Sequence, residues 1–252
     1  MAAVGAGLSS STRAQEPTGF LNRAVTVDGV SHRYQVYVPA EYSRARRWPV
    51  ILFLHGSGER GTDGLLQTEV GLGGGIRRHA GRWPALVVFP QAPPEHRWHG
   101  KVAHLALATL DHTLHEFSTD PDRVYLVGLS AGGNGVWNLG YRYPERFAAL
   151  VAVCGWVMPT AERPEAIVPP GKGSPYPLIA GRIGALPIWI WHGTADDVVP
   201  VEESRRMAEA LRAGGARVTY TELPGVDHDA WTPAFDSPDL PRWLFAQRRP
   251  AR

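Results

Sequence analysis

At 252 residues, with 44% hydrophobic and 20% charged side chains, the chain is long enough to bury the core of one sizeable α/β domain. Its formal net charge is +2, and its basic residues, all arginine except Lys101 and Lys172, are scattered. Neither feature gives reason to invoke nucleic acid or an anionic membrane surface. Cys154 is the one cysteine, which excludes an intrachain disulfide and a thiolate metal cluster, and no apolar run approaches the ~20 residues that span a bilayer.

Residues Met1 to Thr18 are small and polar and lack the apolar stretch of an intact signal peptide. They read as a flexible arm, residues 1–18, or as the tail of a trimmed leader. The expectation is a cytoplasmic protein, with export as the alternative. Arg23–Val27 and His32–Val38 alternate around Asp28-Gly29, a hairpin signal. Val50–Leu54 and Leu86–Phe89 are continuous apolar runs, as in strands buried on both faces. Ala103, Leu107, Leu110, Leu114 and Phe117 make a helical stripe. A strand ending at Leu129 and a helix over Ala131–Tyr143 follow. Phe147–Val153 and Ile188–Trp191 read as strands, Glu202–Arg212 as a helix stopped by Gly214-Gly215, Arg217–Leu223 as a strand, and Leu240–Gln247 as a last helix. Such alternation predicts a mostly parallel sheet with an antiparallel N-terminal edge and helices on both faces, within a single domain over 19–252. The Pro/Gly-rich stretch 159–187 interrupts it and is expected to form a small lid over the site.

The strand Val124–Leu129 runs into Gly128-Leu129-Ser130-Ala131-Gly132, a serine between glycines at a strand-to-helix junction. This is the nucleophile elbow, where a tight reversal exposes a hydroxyl beside a helix N-terminus. Downstream, Ile188–Trp191 leads into His192-Gly193-Thr194-Ala195-Asp196-Asp197, and the loop after the last strand carries Asp227-His228-Asp229. Nucleophile, acid and base therefore occur in the order Ser130, Asp196 or Asp197, His228, with His192 read as a structural residue at a strand end. After the first apolar strand, His55-Gly56-Ser57-Gly58 offers small residues whose backbone N–H groups can face a developing oxyanion; Ser57 or Gly58 would pair with Ala131 there. Neither this loop nor Gly71–Gly75 has the pattern of a phosphate-binding or dinucleotide-binding loop. His96 and His99 lack a third metal ligand. The chain is expected to need neither metal nor organic cofactor.

These segments resemble the α/β-hydrolase superfamily, and within it bacterial esterases of the phospholipase/carboxylesterase and dienelactone-hydrolase-like group. The branch labelled "predicted peptidase" or polyhydroxybutyrate-depolymerase-like is the most similar. The resemblance rests on His55–Gly61, Phe89-Pro90-Gln91, Gly128–Trp137, His192-Gly193 through Val199-Pro200, and His228–Trp231, and so spans about Val36 to Phe245. It implies an α/β-hydrolase fold, places the acid at Asp196, ahead of Val199-Pro200, and the first oxyanion donor at Ser57. Ala131 stands where relatives often carry methionine, which would widen or reshape the pocket. Gln91, Trp98, Trp156 and Trp231 adjoin the motifs and are candidate substrate contacts, suggesting apolar or aromatic ester groups. The expected activity is a serine carboxylesterase working through an acyl-enzyme on a small-molecule ester. The alternatives are a peptidase or amidase with the same triad, or a non-catalytic ligand-binding protein.

Overall fold

Eight strands form one sheet in a computed structural model that describes residues 16–169, 171 and 173–249. Of the expected arm 1–18, only residues 16–18 fall within the described part; residues 1–15 lie outside it. The hairpin pairs β1 (Gly19–Val27) with β2 (Val30–Val38) through a two-residue turn. Asp28 (φ 51°) and Gly29 (φ 79°) are both left-handed, the turn whose twist matches a right-twisted ribbon. β2 then runs antiparallel to β4 (Leu86–Pro90). From there the sheet is parallel: β4, β3 (Trp48–Leu54), β5 (Thr119–Leu129), β6 (Ala149–Val153), β7 (Ile188–Gly193) and β8 (Val218–Leu223).

Alternate residues of each central strand feed two separate cores, which is why these strands are apolar throughout. Val50, Leu52, Leu126, Leu150 and Ile190 face one layer. That layer holds α2 (Gly100–Glu116), α3 (Ala131–Arg142), α4 (Pro175–Ile183) and α5 (Glu202–Ala213). Ile51, Phe53, Val127, Val151 and Trp189 face the other. There lie α1 (Leu72–His79), α6 (Trp231–Asp236) and α7 (Asp239–Phe245).

Three helices differ from the sequence reading. α1 contains Gly73-Gly74-Gly75, which weakens helical propensity; Leu72 and Ile76, one turn apart, bury it against the sheet instead. α6 follows directly on the His228 loop. α4 lies inside 159–187, where Ile179, Ala180 and Ile183 are buried and the helix contacts α3 and α5. No helix among the described residues is long and apolar enough to cross a membrane.

Candidate active site

The C-terminal ends of the parallel strands β5, β7 and β8 carry Ser130, Asp196 and His228, the side of an open α/β sheet where ligands bind. Ser130 sits at φ 51°, ψ −116°, a conformation that a side chain adopts only when its surroundings impose it. Its N–H donates to the Val153 carbonyl at 2.9 Å, and its own carbonyl accepts from Asn134 N–H at 3.0 Å. The flanking glycines permit this approach. A Cβ on Gly132 would run into the Leu54 carbonyl, and one on Gly128 into the Gly132 carbonyl.

The three side chains form one hydrogen-bonded line. His228 Nδ1 lies 2.7 Å from Asp196 Oδ2, and His228 Nε2 lies 2.9 Å from Ser130 Oγ. An ionised carboxylate only accepts, so the ring proton resides on Nδ1 and Nε2 is left to accept from the serine hydroxyl. The Asp196 side chain has no exposed surface. Burial alone would push its carboxyl up, but donors on both oxygens reverse the sign and hold it well below the usual carboxylate range. The donors are His192 Nε2 at 3.1 Å and His228 Nδ1 on Oδ2, with the amides of Val198 and Val199 on Oδ1 at 2.9 and 2.8 Å. Asp197 is exposed and has no hydrogen-bond partner among the described residues. His192, fully buried, thus supports the Asp196 carboxylate. Its Nδ1 meets Ser204 Oγ at 2.7 Å.

The loop after β3 is held from behind. His55, buried, donates from Nδ1 to the Gly56 carbonyl at 2.6 Å and accepts Ala92 N–H on Nε2 at 3.0 Å. Burial lowers its pKa to about 4, so the ring is a neutral strut. Ser57 follows on the cleft wall, and Ala131 opens α3 directly after Ser130, its amide without a partner inside the helix.

A cleft of about 310 Å³ opens over Ser130 and His228, with Ser57, Glu59, Arg97, Leu129, Trp156, Arg163, Val198 and Trp231 on its walls. Trp231 meets the His228 ring edge-on at 5.3 Å. Burial raises the Glu59 carboxyl, opposed by the amides of Gly56 and Glu59 itself. Glu203 fixes the Trp156 wall: its Oε2 accepts Val157 N–H at 2.7 Å, Met158 N–H at 3.1 Å and the Tyr176 hydroxyl at 3.0 Å. A larger hollow of about 550 Å³, lined by Asn22, Arg33 and Asp63 among others, includes none of Ser130, Asp196 and His228.

Two expected substrate contacts face elsewhere. Trp98 is buried; its Nε1 donates to the His55 carbonyl at 3.0 Å and its ring packs edge-on against His55 at 4.8 Å, so it braces the loop. Gln91 accepts Gly64 N–H at 2.7 Å and donates to the Glu59 carbonyl at 3.1 Å and to Asp63 Oδ1 at 3.2 Å, which ties down residues 59–64. Neither lines the cleft, because motif proximity in sequence carries no information on side-chain direction. Trp156 and Trp231 do line it. Arg163, Glu203 and the His192 contact went unread, since each is brought to the site by a distant loop and leaves no local pattern. Cys154, also left-handed (φ 41°) and fully buried, places its sulfur within 4.8 Å of ligand atoms of Asp196 and His228.

The profile of the family described as "Putative esterase" matches residues 29–244. The chain belongs to this esterase family. Curated relatives include an "Uncharacterized secreted protein" of Arthroderma benhamiae, 24% identical over 73% of this chain and 22% of its own length. Another is Esterase LipC of Mycobacterium tuberculosis, 27% identical over 71% of this chain and 52% of its own. Among solved structures, that of a thermostable esterase superposes with a TM-score of 0.76 at 31% identity, covering 91% of this chain and 63% of that one. The chain thus spans between about a fifth and a half of these two curated relatives. The α/β-hydrolase fold expected from the sequence is the fold observed.

Proposed function

We propose that the protein is a serine carboxylesterase with Ser130 as nucleophile, His228 as base and Asp196 as the acid that orients it. The observation carrying this reading is the continuous line from Ser130 Oγ through His228 to the buried Asp196 carboxylate, at 2.9 and 2.7 Å. Ser130 Oγ attacks the ester carbonyl carbon while its proton passes to His228 Nε2. Negative charge gathers on the carbonyl oxygen, where the amides of Ser57 and Ala131 receive it. The C–O bond then breaks, the departing alcohol takes the proton from His228, and an acyl-Ser130 ester remains. Water, deprotonated by the same ring, attacks this ester and releases the acid, restoring the Ser130 hydroxyl.

Trp156, Trp231, Leu129 and Val198 give the cleft an apolar wall, which suits apolar or aromatic ester groups. Chromogenic 4-nitrophenyl esters assayed beside matched 4-nitroanilides test the assignment. The ester is expected to turn over far faster because its leaving group is better. Faster cleavage of the anilide would make the protein an amidase, and turnover of neither would leave a binding protein.

A further inference from the structure

Arg163 is the one guanidinium on the cleft wall without a carboxylate partner within 4.0 Å among the described residues. The other, Arg97, is already neutralised from behind by Glu165 at 3.1 Å, and its NH2 donates to the Glu162 carbonyl. Arg163 is nonetheless held firmly. A tight turn fixes its backbone, with Thr160 N–H donating to its carbonyl at 3.0 Å and its own N–H donating to Thr160 O at 3.2 Å. Its guanidinium lies 4.6 Å over the Trp156 ring, and one NH2 donates to the Val198 carbonyl at 2.7 Å. These contacts leave most of its five N–H donors unused. A cation held beside an apolar wall, with no carboxylate in contact and only the field of the neighbouring Glu162 on it, is an arrangement that can receive an anion bidentately. The acidic group on the wall, Glu59, belongs to the turn after Gly56, a different segment of the chain from the 156–163 stretch and the 198 loop that hold Arg163.

We infer that Arg163 selects esters bearing a carboxylate, so that the substrate pairs an apolar or aromatic body with a negative group on the Trp156 side of the cleft. This rests on the esterase reading and narrows its substrate class. A purely structural Arg163, serving only to tie the 160–163 turn to the Val198 loop, would raise or lower all esters alike.

Two matched probe pairs separate these roles. One places the charge in the acyl half (mono-4-nitrophenyl adipate against an uncharged ester of the same length), the other in the leaving phenol (3-butanoyloxybenzoate against 3-methylphenyl butanoate). The quantity read is the ratio of kcat/KM for the charged ester to that for its neutral mate. In Arg163→Met, which keeps an unbranched apolar stem, this ratio is expected to fall about tenfold or more for at least one pair, through KM, and Arg163→Lys to recover part of it. Raising salt from about 0.05 to about 0.5 M must lower the same ratio in the native protein, a readout independent of any variant's folding. Ratios unchanged in both pairs, whether by Arg163→Met or by salt, would overturn the inference while leaving the esterase reading intact. Failure of the native protein to hydrolyse any of the four esters would overturn both.

Discussion

Replacing Asp196 by asparagine is isosteric but reverses the donor pattern at one oxygen. The amides of Val198 and Val199 both need an acceptor at the Oδ1 position, so the asparagine carbonyl settles there. Its NH2 then occupies the Oδ2 position, 2.7 Å from His228 Nδ1. An NH2 can only donate, so Nδ1 must give up its proton and the ring becomes the Nε2–H tautomer, which cannot take the proton of Ser130. Triads altered in this way lose about 10⁴ in turnover, or about 5 kcal/mol of transition-state stabilisation. His192 keeps the Val199 carbonyl at 3.0 Å as an acceptor, which limits the cost to folding. Asp197→Asn, at an exposed carboxylate, is expected to stay within about 0.5 kcal/mol in stability and close to native in rate. Steady-state turnover of a 4-nitrophenyl ester, with thermal melts to verify folding, makes the comparison. A loss at Asp197 equal to or greater than that at Asp196 would refute the reasoning.

Three further outcomes follow from the supporting groups. His55, lowered to about 4 by burial, refuses a proton that the unfolded chain binds near its ordinary ~6.5. Its contribution is therefore present at neutral pH and lost as pH falls through that window, about 3 kcal/mol in all. The stability gap between the native protein and His55→Asn should narrow by that order from about pH 7 to about pH 4, and a constant gap would contradict a neutral, buried ring. Cys154 is fully buried, and burial pushes its thiol well up. An aromatic disulfide reagent should react with it only in denaturant; rapid reaction of the native protein would contradict this. Glu203→Ala strips an acceptor from Val157, Met158 and Tyr176, costs about 1–3 kcal/mol, and loosens the Trp156 wall, so KM should rise more than kcat falls. An unchanged KM would detach Glu203 from the site.

The parallel sheet was legible because buried strands must be apolar on both faces, and every central strand here is. That Ser130, Asp196 and His228 would meet was legible for a related reason: each follows a strand that announces itself, and the structure joins them at 2.9 and 2.7 Å. What was hidden depended on direction or on distant packing. α1 owes its existence to Leu72 and Ile76 docking on the sheet, against the preference of its three glycines. α4 was obscured by the prolines and glycines around a short stripe of Tyr176, Ile179, Ala180 and Ile183. Asp196 and Asp197 are adjacent and identical in type, and only the fold turns one carboxylate inward. Gln91 and Trp98 adjoin catalytic-looking motifs yet point behind them, into the scaffold of the loop. Arg163 sits 33 residues from both Ser130 and Asp196 in a stretch without periodicity, and only the folded chain brings it to the cleft.

The central claim is that Ser130 is an activated nucleophile, and labelling with a fluorophosphonate tests it most directly. Mass spectrometry of the native protein should find one adduct, on Ser130, with none on Ser130→Ala and very slow formation on Asp196→Asn. An adduct elsewhere, or an unlabelled native protein, would contradict the assignment.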